Sequence, residues 1–173
     1  MRTFKHTLII IMLLSVAACS THKPMPAVDY VDLDRFMGDW YVIANIPTFL
    51  EKDAYNPVES YQMDADGTIA TTFTFNDGGF DGEQKIYQPR GFVVDNSNNA
   101  IWGMQFVWPI KADYRIVYLD DSYQQTIIGR KSRDYVWVMA RTPKISDADS
   151  SALVDVVAEL GYQPDLLRKA PHK

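Results

Sequence analysis

Gly38-Asp39-Trp40-Tyr41 and, far downstream, Tyr135-Val136-Trp137-Val138-Met139-Ala140-Arg141 are the stretches whose reading decides the fold. The first opens an alternating apolar run. The second closes on a lone arginine followed by Thr142-Pro143, and a proline has no N–H to carry a strand ladder further. Between them, short alternating runs recur at a spacing of about ten residues, the pattern of an antiparallel barrel or sandwich. Strands are predicted over 40–46, 58–63, 68–75, 84–94, 100–107, 113–119, 124–130 and 135–141. The breaks hold turn-forming residues: Asp66-Gly67, Asn76-Asp77-Gly78-Gly79, Asn96-Ser97-Asn98-Asn99 and Asp120-Asp121-Ser122. In the third strand Ile69, Thr71, Phe73 and Phe75 share one face, and Thr68, Ala70, Thr72 and Thr74 the other.

After the last strand, Ser146-Asp147-Ala148-Asp149 has the form of a capping box. Leu153, Val156, Val157 and Leu160 then recur at i, i+3, i+4 and i+7, and Gly161 ends the helix. Such a stripe has to bury against the outside of the sheet. Eight strands, one C-terminal helix, Gly38 and Trp40 at the first strand's start and Arg141 at the last strand's end resemble the lipocalin family. The run 134–143, leading into Ile145-Ser146, is similar to its bacterial outer-membrane and apolipoprotein D branch. The resemblance spans residues 30–165. It implies an all-β fold: an eight-stranded antiparallel up-and-down β-barrel, or calyx, with one C-terminal α-helix packed on the outside. It also implies that Trp40 plugs the closed end with Arg141 across its face, a favourable cation–π pair.

Residues 1–18 carry Arg2 and Lys5, an apolar run from Leu8 to Leu14 and then small residues. Those are the parts of a secretory signal, too short for a membrane-spanning helix. Val16-Ala17-Ala18-Cys19 is similar to a bacterial lipobox. Cys19 is the sole cysteine, so no intramolecular disulfide can form. The plainer reading, a generic signal beside an incidental thiol, would leave that thiol free in an oxidising compartment, where it is a liability. The resemblance implies instead that Cys19 is the acylated N-terminus, and that Ser20 beside it directs the protein to the periplasmic face of the outer membrane. The chain then divides into a signal peptide (1–18), an acylated cysteine and flexible tether (19–31), barrel plus helix (32–165) and a tail (166–173). The formal charge is −5, and loss of Arg2 and Lys5 makes the remainder more acidic. That argues against a nucleic-acid partner, which selects for a basic face.

If Gly38–Trp40 marks the closed base, the loops at 47–57, 76–83, 108–112 and 131–134 ring the mouth. Pro47, Phe49, Tyr55 and Pro57 give the first of them an apolar character suited to a lid or a membrane-facing lip. Alternation directs Val42, Ala44 and Ile46 inward with Trp40, and Met104 with its neighbours. It does the same for Tyr114, Ile116 and Tyr118, and for Met139 in phase with Arg141. Phe73, Phe75, Trp102, Phe106, Tyr114, Tyr135 and Trp137 are the expected ligand-contacting set; the plain alternative is that they simply fill the core. A barrel of eight strands either fills itself or holds one small ligand, and the resemblance to lipocalins implies the second case. Lys111, Arg130, Lys131 and Arg133 form a basic flank suited to a carboxylate or phosphate headgroup, or are merely solvated loop charges.

Histidine occurs at positions 6, 22 and 172, all in terminal segments, so the barrel has none to serve as base or metal ligand. No nucleophile elbow, phosphate-binding loop, metal-binding pair or cofactor motif is present. Glu59, in phase with Tyr61 and Met63, is the one carboxylate placed for acid–base work; its simpler reading is an exposed residue at a strand end. Three functions therefore stand open. The leading one is a membrane-anchored carrier of a fatty acid, lysophospholipid or similar amphiphile in envelope lipid storage or transport, without catalysis; a homodimer is compatible with it. The second is a lipid-modifying enzyme, which needs Glu59 buried at the cavity. The third is a tethered protein-interaction module with a filled barrel.

Overall fold

The computed structural model describes residues 23–94 and 96–173; the signal peptide, Cys19 and the residues up to His22 lie outside the described residues. Nine strands follow one another around a barrel: β1 (Gly38–Ile46), β2 (Ala54–Met63), β3 (Ile69–Asp77), β4 (Gln84–Tyr87), β5 (Arg90–Val93), β6 (Ile101–Val107), β7 (Ile110–Leu119), β8 (Gln125–Gly129) and β9 (Val136–Ala140). All pairings are antiparallel, and β1 pairs with β9 to close the cylinder. β4 and β5 both pair with β3 and correspond to the single strand expected over 84–94. Pro89 interrupts it because it has no amide hydrogen to donate. Counted as one interrupted strand, they make the barrel eight-stranded. The helix is also where the capping box places it. α2 spans Asp147–Glu159, Ser146 Oγ accepts from the Asp149 amide, and Leu153 and Val157 are buried.

Bulges correct the expected alternation. β1 shifts register between Val42 and Ala44, so Val42 joins the barrel interior while Ala44 and Ile46 turn outward beneath α2. A one-residue slip reverses every later side chain on a strand. β7 shifts likewise between Ile116 and Tyr118, and Tyr118 packs with the outer cluster rather than inside. The result is two apolar cores. One lies inside the barrel around Trp40, Ile69, Phe73 and Met139; the other lies between the wall and α2 and contains Ile127, Val136, Val138, Leu153 and Val157.

The terminal segments are a larger correction. Residues 19–31 were expected as a free tether, yet from Met25 onward the chain is seated. Met25 and Val31 are buried, and the Val28 and Val31 amides donate to Ile116 O and Asn98 O at 2.9 and 2.8 Å. This strap starts beside the β8–β9 loop, where Arg133 Nη2 donates to Lys23 O at 2.8 Å. It ends in a short helix, α1 (Leu33–Phe36), whose Phe36 is fully buried under the barrel against Trp40, 5.0 Å between ring centres. The tail is ordered too. After a 3₁₀ turn at Pro164–Leu166, strand β10 (Arg168–Lys169) pairs with Ala44 and Asn45 of β1. The β1–β2 ladder ends at Tyr41–Val58, so β10 fills the gap where the two strands diverge.

Candidate ligand-binding calyx

Above the Phe36–Trp40 plug the barrel encloses a cavity of about 520 Å³, open at the opposite end. Phe73, Tyr87, Met104, Tyr114, Tyr135 and Trp137 line it, with Phe49, Leu50, Phe106 and Val107 toward the mouth. The plug is held from below. Arg141 Cζ lies 3.8 Å from the Trp40 ring centre, and its guanidinium donates to Asp39 O, Arg35 O and Phe36 O at 2.9, 2.8 and 3.0 Å. Gly38 lies against it in a backbone conformation that side-chain-bearing residues rarely adopt. Its φ is +93°, and a Cβ there would stand 3.4 Å from Arg141 Nη1.

The floor is polar. Glu59 is buried rather than exposed at a strand end, because its pairing with Trp40 and Phe73 sets it just above the plug. Tyr61 and Tyr114 both donate to Glu59 Oε2, Tyr114 from 3.2 Å, and the two phenol oxygens also contact each other. Burial pushes the Glu59 carboxyl up to about 7; the Tyr61 hydrogen bond opposes this, and the charge of Glu51 adds to it. The same burial raises both phenols well above their ordinary value. Glu51 descends from the 47–53 loop to accept Trp137 Nε1 at 3.1 Å on both oxygens, and Thr48 N at 3.0 Å. Burial raises its carboxyl too, against these hydrogen bonds. The loop is thus latched into the mouth through a carboxylate–indole contact.

Of the seven expected ligand contacts, Phe73, Phe106, Tyr114, Tyr135 and Trp137 line the cavity. Phe75 and Trp102 do not: Phe75 packs within the wall against Phe73 and Tyr87, and Trp102 belongs to the plug layer with Phe36 and Tyr61. The basic flank separates. Arg130 alone lines the calyx, with Nη1 3.1 Å from Asp134 Oδ2 and a buried Nε that has no acceptor among the described residues. Lys111 lies on the outer wall with Nζ 3.4 Å over the Phe92 ring. Lys131 and Arg133 line a separate outer groove beside Lys23 and Tyr162. Tyr87 and Glu51 are among the lining residues that were missed. Tyr87 could have been found from its cross-strand pairing with Phe73, whereas Glu51 sits in a loop where no periodicity marks it. Among the described residues no group of His, Cys, Asp and Glu is arranged to hold a metal, and no helix is long and apolar enough to cross a membrane.

Comparison with known proteins agrees with this geometry. A lipocalin-like domain model matches residues 31–172. Temperature-induced lipocalin-1 of Arabidopsis thaliana is 30% identical over 158 residues, covering 86% of this chain and 83% of that protein. The outer membrane lipoprotein Blc of Citrobacter freundii is 25% identical, covering 88% of this chain and 87% of its own. Among solved structures, insecticyanin of the tobacco hornworm Manduca sexta superposes with a TM-score of 0.69 at 12% identity, over 87% of this chain and 86% of that one.

Proposed function

We propose that this chain, which belongs to the lipocalin family, carries a fatty acid, lysophospholipid or similar single-chain amphiphile in its calyx, held at the outer membrane through an acylated Cys19. The observation that carries the reading is the apolar space of about 520 Å³ beneath the mouth, a size suited to one small ligand. An alkyl tail lying between Phe73, Met104, Tyr114 and Trp137 gains about 0.8 kcal/mol per buried methylene. Arg130 lines that space, and its guanidinium, 3.1 Å from Asp134, is the cation there that a carboxylate or phosphate headgroup would meet. The open cavity also counts against a barrel filled by its own side chains, and so against the interaction-module reading. The location is supported by the lipobox-like residues before Cys19 and by relatives named outer membrane lipoproteins. Storage or transport of envelope lipid is the role that follows from a tethered carrier.

The test is titration of delipidated protein with fatty acids and lysophospholipids of increasing chain length, read by indole emission. Saturable binding that tightens with each methylene until the cavity is full, and weakens in Arg130→Gln, is expected. A folded, empty protein that binds no chain length would end the carrier reading. Separately, Cys19→Ala is expected to leave unprocessed precursor or an unlipidated product; a trimmed, acylated variant in the membrane fraction would remove the anchor. A second reading gains from one observation: Glu59 faces the cavity, as a lipid-modifying enzyme using carboxylate chemistry requires. Turnover of a bound lysophospholipid by the native chain but not by Glu59→Gln would establish it, and recovery of intact lipid from both would dismiss it.

A further inference from the structure

Four loops ring the mouth, and the strand order fixes their places: β1–β2, β3–β4, β6–β7 and β8–β9 in turn, so the first faces the third and the second faces the fourth. Two facing tips are apolar and exposed. On β1–β2, Phe49 is 75% exposed, and on the β6–β7 hairpin Trp108 is 82% exposed, flanked by Val107 at 68% and Ile110 at 69%. Phe106, Val107 and Phe49 continue the cavity wall outward, so the patch is the rim of the calyx and not a separate surface. Contiguous exposed apolar surface of this kind marks an interaction site, and an exposed indole at a rim is the residue type enriched at membrane interfaces.

The other two loops carry opposite charge. The β3–β4 loop bears Asp81 and Glu83, beside Asp77 at the end of β3, with Lys173 Nζ 3.4 Å from Asp81 and Lys85 Nζ 2.6 Å from Glu83. Facing it, the β8–β9 loop borders an outer groove of about 580 Å³ lined by Lys23, Arg115, Lys131 and Arg133, with Asp134 as the acid among them. Arg115 is spent on Asp113 and Met25 O, and Arg133 on Leu160 O and Lys23 O. Lys23 and Lys131 are exposed, and among the described residues neither is held in an ion pair. Lys23 is also where the strap leaves the barrel, at the mouth end. Cys19 lies four residues earlier in the sequence, within reach of about 14 Å even if that stretch is fully extended.

We infer that the open end of the barrel docks on an anionic phospholipid bilayer, with Phe49 and the Trp108 hairpin in the interface and Lys23 and Lys131 on the headgroups. The molecule tilts onto its basic side, which lifts the acidic β3–β4 loop away from the lipid. The calyx then opens toward the bilayer that supplies or receives its amphiphile. The part played by the anchor rests on the acylation of Cys19 proposed above; the rim and the charges do not.

The test uses the full chain extracted from membranes and reconstituted into vesicles of phosphatidylethanolamine and phosphatidylglycerol whose acyl chains are brominated near the headgroup. Subtracting the emission of Trp108→Phe isolates Trp108, and mass spectrometry of the N-terminal peptide reports acylation independently. Docking predicts that more than about half of the Trp108 emission is quenched. It also predicts that Lys23→Gln and Lys131→Gln each lower the docked-to-undocked ratio about five-fold. Unquenched Trp108 in acylated protein would overturn the inference and leave the anchor standing. Quenching in protein found unacylated would support the docking surface and remove the anchor, and neither signal would remove both. Equal quenching on phosphatidylcholine vesicles would overturn the assignment of an anionic partner.

Discussion

A few side chains hold the closed end and set its chemistry. Phe36 O accepts both Trp40 Nε1 at 2.9 Å and Arg141 Nη2 at 3.0 Å, so indole and guanidinium share a partner as well as a ring contact. Residues joined in this way do not contribute independently. A double-mutant cycle on Trp40→Leu and Arg141→Met is expected to give a coupling of about 1–2 kcal/mol, and strictly additive losses would contradict the contact. Glu59 makes a different prediction, because its charged form is what burial disfavours. With the carboxyl at about 7 in the folded protein and at about 4.5 when solvated, the folded state holds the extra proton between those values. Stability therefore falls as pH rises through that window, full below it and lowest above, by about 3 kcal/mol. The raised carboxyl of Glu51 adds a slope of the same sign. Urea unfolding of Glu59→Gln should show a shallower dependence between pH 5 and pH 8 than the native chain; parallel curves would mean that Glu59 is not the titrating group.

Elements show where the sequence was readable and where it was not. β3 was legible because Ile69, Thr71, Phe73 and Phe75 alternate without a break, and α2 because cap, stripe and terminal glycine agree. The upper half of β1 was not. Ala44 and Ile46 continue the period of Trp40 in sequence, but the bulge after Val42 hands them to the α2 side, and nothing local encodes that choice. The same departure explains β10. Where β1 leaves β2, its backbone needs other partners. The tail supplies them: Ala170 N donates to Ile43 O at 2.9 Å, and His172 Nε2 lies 2.8 Å from Val42 O. Two such hydrogen bonds with the Ala44–Lys169 and Asn45–Arg168 rungs give a net of about 2–6 kcal/mol at the usual 0.5–1.5 each. Ending the chain after Leu167 should lower unfolding stability by that amount and speed amide exchange along Ile43–Asn45. Unchanged exchange there would show that the tail is only resting on the wall.

At the scale of the whole molecule the chain makes one more pass than its strand count implies: down the outside as a strap, under the base as α1, and only then up through β1. The candidate site was partly legible for the same reason as the barrel, since five of its aromatic contacts follow from strand phase. Its polar members were legible only in part: Glu59 and Arg130 were singled out and line the cavity, but the place of Glu51 and the separation of Lys111, Lys131 and Arg133 from the calyx depend on how loops fold over the rim. The strap was hidden by composition. Ser20 to Val28 is short, polar and proline-containing, as a linker is, and the spacing of Met25, Val28 and Val31 was its only mark. Pro24 and Pro26 are better read as holding it extended against the wall, since each fixes its own φ. A seated strap and a free tether make opposite predictions. Burying Met25 and Val31 is worth about 1.5–3 kcal/mol each, a large share of the 5–15 kcal/mol that holds a typical domain. Met25→Ser with Val31→Ser should therefore lower unfolding free energy by about 3–6 kcal/mol, read from urea midpoints. Tyr30→Ser, at an exposed position of the same segment, should stay within about 0.5 kcal/mol of the native value. If both variants unfold with the native protein, residues 25–31 are a tether after all, and the mouth loses the fixed exit that brings it to the membrane.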